Sequence, residues 1–273
     1  MIKKIVKFVF IFLCANLINA YELKGYGATF AGSKVIEISN LYETKTKNKI
    51  SYLPIGSSGG IKQILLNRGD FAVVDIAFKD DSLEFVPFIK SAVSISYNLP
   101  NISNLILTPD LVAKIFTGEI QFWDDDNIKN LNPNLNLPKE KIIFFHRYDG
   151  SGTTFTISSF LDISSKFWNL GSHEFINFKI GIGKKGNRQL AKAIAQTPYS
   201  IGYTSYYYTQ NLNSAYLEYK GTISHPKDDN YPLQNYSCFI YKKNSSKKKN
   251  IEKFIKFTKQ NYNPKDDKLS YFD

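Results

Sequence analysis

Short apolar runs alternate along this chain with longer segments in which apolar residues recur every three or four positions. Val35, Ile38 and Leu41 have helical spacing, whereas the run Phe-Ala-Val-Val at 71–74 is typical of a buried strand. The predicted strands are residues 49–55, 70–76, 93–97, 142–145 and 199–203. The predicted helices are residues 34–45, 109–116, 188–196 and 248–260, one that begins near Ile61 and one that runs through Phe155. This alternation predicts an α/β protein.

Two of the predicted strands end in a loop rich in serine and glycine, and a predicted helix follows each loop. The loops are Gly-Ser-Ser-Gly-Gly at 56–60 and Asp-Gly-Ser-Gly-Thr-Thr at 149–154. The first N–H groups of a helix have no partner within the helix, and its dipole is positive at this end. Glycine allows close approach to the backbone, and serine and threonine add hydroxyl donors. The repeated arrangement predicts a site for a small oxyanion.

The first twenty residues have the layout of a secretory signal peptide. Three lysines form a positive start, an apolar run follows at 8–15, and the small residue Ala20 precedes the predicted cleavage point. This run is shorter than the roughly 20 apolar residues that span a bilayer, so cleavage is favoured over a membrane anchor. Lipid modification of Cys14 is a second alternative. The mature chain is therefore expected to be exported from the cytoplasm.

The formal net charge of +11 would suit nucleic acid or anionic lipid as a partner. However, much of the lysine lies near the C-terminus at 242–249, where a solvated charged face is the favoured explanation. The aromatic residues are spread along the chain and do not form the basic and aromatic platform that binds single-stranded nucleic acid. We therefore expect no nucleic-acid partner, and weak attraction of anions as the main consequence of the charge.

Few residues could hold a metal or form a disulfide. Once the signal peptide is removed, Cys238 is the one remaining cysteine, and its strand-like surroundings predict a buried, inert thiol. The three histidines, His146, His173 and His225, are isolated from one another in the sequence. A Walker-type phosphate loop is also missing. We expect neither a metal nor another cofactor.

Arg147 and Asp149 add a charged group to the second loop. An arginine binds oxyanions through a planar fork of N–H groups and stays charged at any ordinary pH. Asp149 could hold the guanidinium from the far side, while Ser151 and Thr153 present their hydroxyls to the anion. The alternative is a plain turn.

Asp75 follows the predicted strand at 71–74, and a carboxylate beside an anion needs an explanation. Hydrogen phosphate carries a proton that it can donate to Asp75, whereas fully ionised sulfate cannot donate. Sulfate would leave the carboxylate unpaired and facing a like charge, which would reject it. Asp75 thus favours phosphate among the tetrahedral anions, although a turn or helix-capping role is the simpler alternative.

Residues 56–60 also fit the Gly-x-Ser-x-Gly pattern of a serine hydrolase, with Ser58 as the nucleophile. The pattern is short, and none of the histidines has an evident acidic partner. Catalysis by Ser58 is therefore kept only as an alternative, and the chain is expected not to be an enzyme.

Several ordered stretches resemble the periplasmic phosphate-binding proteins of bacterial phosphate ABC importers. The matching stretches are GYGATF at 25–30, YLPIGSSGGIKQI at 52–64, residues 70–75, IFTG at 115–118, WDD at 123–125, RYDGSGT at 147–153, GKKGN at 183–187 and IGY at 201–203. The resemblance implies binding of inorganic phosphate and delivery to the permease subunits of an importer, by a protein that is expected to be a monomer.

The resemblance also implies a ligand set. Thr29 would donate its hydroxyl and Phe30 its backbone N–H, and both roles rest on the resemblance alone. The other implied groups agree with the chemistry above, with Asp149 in a supporting role. They are Ser57, Asp75, Arg147, Ser151, Gly152 and Thr153.

The fold implied by the resemblance is the type II periplasmic-binding-protein fold, with a ligand cleft between two domains joined by two crossover strands. Residues 1–20 would be the signal peptide, residues 21–92 and 230–273 one domain, and residues 93–229 the other. The crossings are predicted near 88–93 and 230–233. Binding would close the cleft, and the closed form would be recognised by the importer.

Some positions depart from the family pattern. Ala31-Gly32 stand where a proline usually follows the Thr-Phe pair, and Ile-Ala-Phe follows Asp75 at 76–78. The region from 208 to 231 is short, and the chain ends soon after Tyr271. A phosphate-responsive sensor or adhesion protein, which would keep the ligand set but lack an importer, stays open as a third function.

Overall fold

A computed structural model describes residues 20–75 and 80–261 of this protein. The predicted signal peptide, except Ala20, lies outside the described residues, and so do Ile76 and the C-terminal segment from residue 262. Within the described parts of the chain, no helix combines the length and the apolar character needed to cross a bilayer.

Strands and helices alternate along most of the chain. The strands are β1 Glu22–Gly27, β2 Lys49–Pro54, β3 Phe71–Val74, β4 Leu83–Asn98, β5 Ile106–Leu107, β6 Ile143–Arg147, β7 Ile182–Lys184, β8 Ser200–Ser205, β9 Asn213–Ser214, β10 Tyr216–Tyr219, β11 Thr222–Ser224 and β12 Gln234–Lys242. The α-helices are α1 Gly32–Thr46, α2 Ser57–Leu65, α3 Pro109–Thr117, α4 Asp126–Leu131, α5 Gly152–Ser164, α6 Gly186–Gln196 and α7 Lys248–Asn261. The α/β prediction is confirmed.

The main sheet has the strand order β2-β1-β3-β12-β4-β8-β6-β7, with β9 also paired to β4. Strands β1, β2 and β3 are parallel to one another, as are β6, β7 and β8. In parallel groups of this kind the carboxyl ends of the strands lie at one edge, followed by helix N-termini. Each group therefore presents one of the two Ser/Gly loops at such an edge.

Strand β4 joins the two parallel groups. Nine of its first ten residues pair with β12, and its last six pair with β8. Residues 88–93, one predicted crossing, lie within β4, and residues 230–233, the other, directly precede β12. The backbone N–H of Val93 also donates to the carbonyl of Leu233 at 2.8 Å. The two predicted crossings are thus neighbours at the centre of the sheet.

The buried apolar residues form two main clusters. One contains residues between 92 and 233, with Trp123, Phe116 and Tyr203 among its largest side chains. The other contains residues up to 89 and residues after 238, with Phe71, Phe239 and Phe254 in mutual ring contact. Helix α7 places Phe254 in this second cluster because its apolar residues share one helical face.

Several element boundaries differ from the predictions. Helix α2 begins at Ser57 rather than near Ile61, and α6 begins at Gly186 rather than at 188. The Ser-Gly sequence suggested a loop because its helix propensity is low. The first turn of α2 nevertheless needs Gly60, where a Cβ atom would lie 2.6 Å from the Cα of Gly27 in β1. Close packing of helix on strand outweighs the propensity of the residue.

Strand β4 is also longer than predicted, since it begins at Leu83 and not at Val93. Pro87 lies within it, and proline is a poor signal for a central strand. Cys238 of β12 lies opposite Pro87, where the register of the two strands shifts. The irregularity accommodates a residue that cannot donate a backbone hydrogen bond.

Candidate functional site

The first side of the candidate site is built at the ends of β1 and β3 and at the start of α2. Thr29 follows β1, Ser57 is the first residue of α2, and Asp75 directly follows β3. Ser57 is 1% exposed, and its Oγ accepts a hydrogen bond from the backbone N–H of Asp75 at 3.1 Å. Its hydroxyl also acts on the side chain of Asp75, because it lowers the pKa of that carboxyl.

The second side begins with Arg147, the last residue of β6, which is 2% exposed. Its Nε and Nη2 donate to the two carboxylate oxygens of Asp149, each at 2.6 Å. Oδ1 of Asp149 also accepts from the backbone N–H of Gly186 at 3.2 Å. The predicted holding role of Asp149 is thus present as a two-pronged ion pair that fixes the plane of the guanidinium.

Helix α5 supplies the remaining predicted groups of the second side. Ser151 caps the helix, and its Oγ accepts from the backbone N–H of Thr154 at 3.1 Å. Gly152 and Thr153 form the first turn, whose N–H groups have no acceptor within the helix. Both Ser151 and Thr153 are 1% exposed, so donors and helix dipole act in an environment that contains little water.

The two sides lie in contact with each other. A Cβ atom at Gly152 would lie 2.5 Å from the Cβ of Asp75, and one at Gly56 would lie 2.4 Å from the carbonyl oxygen of Gly150. The hydroxyl of Tyr208 donates to the carbonyl of Thr29 at 2.8 Å. Glycine is therefore required at 56 and 152 by close approach across the site, and Gly56 also has a positive φ of 88°.

Asp75 lies at the centre of this arrangement, and burial raises its pKa to about 7. Three groups act in the opposite direction, in order of effect the Ser237 hydroxyl, the Arg147 charge and the Ser57 hydroxyl. Oδ1 of Asp75 accepts a short hydrogen bond from Ser237 Oγ. The carboxyl can therefore ionise near neutral pH, and its ionised form is a strong acceptor for any ligand that carries a proton.

Phe30 is also close to this region, although its side chain is buried in the apolar cluster of residues up to 89 and after 238. Among the described residues, none accepts a hydrogen bond from its backbone N–H. The predicted ligand residues and Asp149 thus lie on the two sides just described, with Phe30 next to Thr29 in the chain. Together they can surround a small anion with hydroxyls, backbone N–H groups and one guanidinium, with one acceptor among them.

Comparisons with known proteins agree with this geometry. The family described as PBP superfamily domain matches residues 21–260. The phosphate-binding protein PstS of Haemophilus influenzae is 34% identical over 225 residues, which cover 78% of this chain and 67% of that protein. PstS of Pasteurella multocida is 36% identical over 208 residues, which cover 72% of this chain and 60% of that protein.

The chain belongs to the phosphate-binding proteins of the PBP superfamily. It spans roughly three fifths to two thirds of the length of these curated relatives. The family membership that the ordered motifs indicated is confirmed.

Solved structures show the same fold. A putative phosphate ABC transporter substrate-binding protein with bound phosphate from Clostridium perfringens has a TM-score of 0.68 at 20% identity, covering 86% of this chain and 92% of that one. The phosphate-bound periplasmic protein PfluDING has a TM-score of 0.69 at 15% identity, covering 85% of this chain and 84% of that one. The prediction of a type II periplasmic-binding-protein fold is confirmed.

Among the residues that contact the predicted phosphate ligands, Ser237 and Asn187 were missed as site residues. Ser237 lies in β12, 162 positions after Asp75. The register between β12 and β4 shifts directly after it, between Ser237 and Cys238. Asn187, in the first turn of α6, contacts both Thr29 and Thr153. The Gly-Asn pair belonged to a recognised motif, but nothing in its local pattern indicated which residues it would contact.

The serine of the hydrolase alternative has no catalytic surroundings among the described residues. Ser58 Oγ is buried without any hydrogen-bond partner there. His146, by contrast, bonds through Nδ1 to the carbonyl of Arg147, and burial lowers its pKa. Burial also raises the pKa of Cys238 to about 11, which agrees with an inert thiol although the residue is only partly buried.

A groove of about 1050 Å³ adjoins the site at Thr29 and Asp149. It runs along α6, where Lys185, Arg188 and Lys192 are exposed. Within the described ranges, none of these three cations forms an ion pair. They add a positive potential beside the site that would attract anions. No cluster of metal-ligating side chains was found within those ranges.

Proposed function

We propose that this protein is an exported, non-enzymatic binding protein that captures inorganic phosphate and delivers it to the permease subunits of a bacterial phosphate ABC importer. The observation that carries the proposal is the placement of one buried carboxyl, Asp75, against the anion-binding first turn of α5 and near Arg147. A site for any oxyanion would gain nothing from a carboxylate at that point.

The ligand set supports phosphate through its balance of donors and acceptors. Thr29, Ser57, Ser151 and Thr153 offer hydroxyls, and the starts of α2 and α5 offer backbone N–H groups. An acceptor in such a set is useful only if the ligand brings a proton. The hydroxyl of hydrogen phosphate would donate to the carboxylate of Asp75, which would favour the ionised form of Asp75 and lower its pKa in the complex.

Discrimination against sulfate follows from the same carboxylate. Ionised Asp75 would face a sulfate oxygen without a proton between them, and both groups would be buried. A buried charged acceptor that loses its donor costs more than the roughly 1–3 kcal/mol of a neutral group. Phosphate should therefore bind much more tightly than sulfate above pH ~7, where Asp75 is ionised.

We also propose that the chain divides into two domains that capture the anion by closing on it. Residues 21–92 with 230–273 would form one domain and residues 93–229 the other, hinged where β4 changes its partner from β12 to β8. The contacts across the site at Gly56 and Gly152 are those of a closed cleft. Opening would separate Thr29, Ser57 and Asp75 from the second side and release the anion.

Export is supported by the layout of residues 1–20, which is that of a secretory signal peptide. The free, monomeric protein would bind phosphate in the periplasm, and its closed form would dock on the permease. No catalytic step is part of the proposal, because Ser58 has no base within reach among the described residues.

The test is calorimetric titration of the mature chain with phosphate, sulfate and molybdate. Phosphate should bind with a stoichiometry of one, and Arg147→Ala should lose about 2 kcal/mol or more of binding free energy, since charge-assisted hydrogen bonds contribute about 1.5–3 kcal/mol each. Arg68→Ala removes an exposed arginine outside the site and serves as the matched control. Unchanged phosphate affinity in Arg147→Ala would contradict the assignment. Phosphate uptake by cells that carry the importer tests delivery.

A further inference from the structure

Asn187 has the largest set of side-chain hydrogen bonds at the candidate site, although it is 1% exposed and uncharged. Its Nδ2 lies 3.3 Å from Thr29 Oγ1 and 3.1 Å from Thr153 Oγ1. Its Oδ1 accepts from the backbone N–H of Ser205 at 3.0 Å and from Thr204 Oγ1 at 3.1 Å. The side chain thus connects β8 with one predicted phosphate ligand from each side of the site.

The orientation of the carboxamide follows from these partners. The backbone N–H of Ser205 can only donate, so the atom that faces it must be the amide oxygen. The amide NH₂ group then faces the two threonines, and it can only donate. Ser205 and Thr204 together fill the two lone pairs of Oδ1, so the longer 3.3 Å contact from Thr153 Oγ1 to Oδ1 is the weaker arrangement.

This orientation determines what the two threonine hydroxyls can do. Thr153 Oγ1 accepts one hydrogen from the Asn187 amide, whereas Thr29 Oγ1 accepts both from this amide and from the backbone N–H of Asn187, each at 3.3 Å. The hydrogen of each hydroxyl must therefore point elsewhere. Apart from Asn187 Oδ1, to which Thr204 and Ser205 already donate, the described residues offer no acceptor for either hydroxyl hydrogen. Each hydroxyl is therefore set to donate its hydrogen to a ligand.

We propose that Asn187 is a positioning residue for phosphate, which makes donors of the Thr29 and Thr153 hydroxyls by donating to both of them. The inference rests on the proposed function and adds a residue to it. Because Thr29 belongs to the first side and Thr153 to the second, Asn187 completes its hydrogen bonds only when the two sides are together. Donor orientation and cleft closure are thereby coupled through a single side chain.

The experiment measures phosphate affinity by calorimetry for the full mature chain and for Asn187→Ala, Thr153→Val and the double variant. Asn187→Ala should bind phosphate about tenfold to a hundredfold more weakly, because one or two hydrogen bonds to a charged ligand lose their orientation. In the Thr153→Val background the same change should cost clearly less, because one of the hydroxyls it acts through is already missing.

Asn132→Ala is the matched control. Asn132 is also a buried asparagine, 4% exposed, and its side chain bonds to the backbone of Ile106 and Ile128, away from the site. The Asn132→Ala variant should have a lower melting temperature and an unchanged phosphate affinity. A purely structural role for Asn187 predicts the same behaviour as Asn132→Ala.

Asn187→Asp keeps the acceptor for Ser205 and Thr204 and guards against a failure of Asn187→Ala to fold. Its carboxylate would accept the threonine hydrogens that otherwise point to the anion, so phosphate binding should weaken at least as much. Wild-type phosphate affinity in either Asn187 variant would overturn the proposal. It would also be overturned if the double variant lost as much binding free energy as Asn187→Ala and Thr153→Val lose together. If the wild-type chain itself bound no phosphate, the proposed function would fail instead.

Discussion

The buried carboxyl of Asp75 makes the stability of the phosphate-free protein depend on pH in an unusual direction. Burial raises its pKa from the ordinary 3.8 to about 7. A group with a raised pKa contributes stability at low pH and loses that contribution as the pH rises through its folded pKa. Between those two values the folded protein holds a proton that the unfolded chain releases.

The size of the effect follows from linkage. Lowering the pH from about 8.5 to about 5.5 should add about 2 kcal/mol to the free energy of unfolding through Asp75 alone. Asp75→Asn keeps an acceptor for Ser237 and cannot ionise, so this contribution should vanish. His146 acts in the opposite direction, because burial lowers its pKa, but it is common to both proteins and cancels in the comparison.

The assay is urea denaturation of phosphate-free wild type and Asp75→Asn at the two pH values, followed by circular dichroism. We expect the wild type to gain about 2 kcal/mol more than the variant on acidification. Equal pH dependence in the two proteins would refute the reasoning, because Asp75 would then titrate as an ordinary exposed carboxyl.

Three further predictions concern residues around Asp75. Gly152→Ala should weaken phosphate binding by about 1–3 kcal/mol in calorimetry, because its Cβ would overlap Asp75 when the two sides are together; an unchanged affinity would show that the two sides do not approach this closely. Ser237→Ala removes a donor that favours ionised Asp75, so the pKa of Asp75 should rise. Sulfate, which needs the protonated carboxyl, should then begin to bind at a higher pH when it is titrated at a series of pH values. An unchanged pH dependence of sulfate binding would count against this contact. Ser58→Ala removes a buried hydroxyl without a partner among the described residues, and should leave phosphate affinity unchanged while the melting temperature stays equal or rises. A large loss of affinity would assign Ser58 to the ligand set.

The sequence alone was sufficient for the parts of the site that are local. Arg147 and Asp149 are two residues apart, and their ion pair could be predicted from the chemistry of the side chains. The serine and glycine loops likewise indicated anion-binding helix starts, since a helix N-terminus needs only a few consecutive residues. Asp75 was assigned by asking which ligand could tolerate a carboxylate.

The contacts that join distant segments could not be predicted in this way. Ser237 meets Asp75 only because β12 lies between β3 and β4 in the sheet, and no local pattern determines that order. Asn187 reaches Thr29 across 158 positions. Thr29 and Phe30 themselves were assigned through the family resemblance, because hydroxyl and backbone donors in a short loop carry little signal of their own.

The fold shows the same contrast between local pattern and packing. Helix α3 was predicted almost to the residue, at 109–116 against the observed Pro109–Thr117. In the structure, Thr108 caps its start and Gly118 ends it in a left-handed conformation. The first half of β4 was missed because Pro87 and partly exposed residues obscure its pattern, and its pairing with β12 decides its conformation.

The most direct test of the account is a pair of calorimetric titrations of the phosphate-free mature chain at pH ~8, one with phosphate and one with sulfate. The account predicts saturable binding of one phosphate per chain and no measurable heat of sulfate binding at the same concentrations. Binding of both anions with similar affinity would contradict the role assigned to Asp75, and absence of phosphate binding would contradict the function itself.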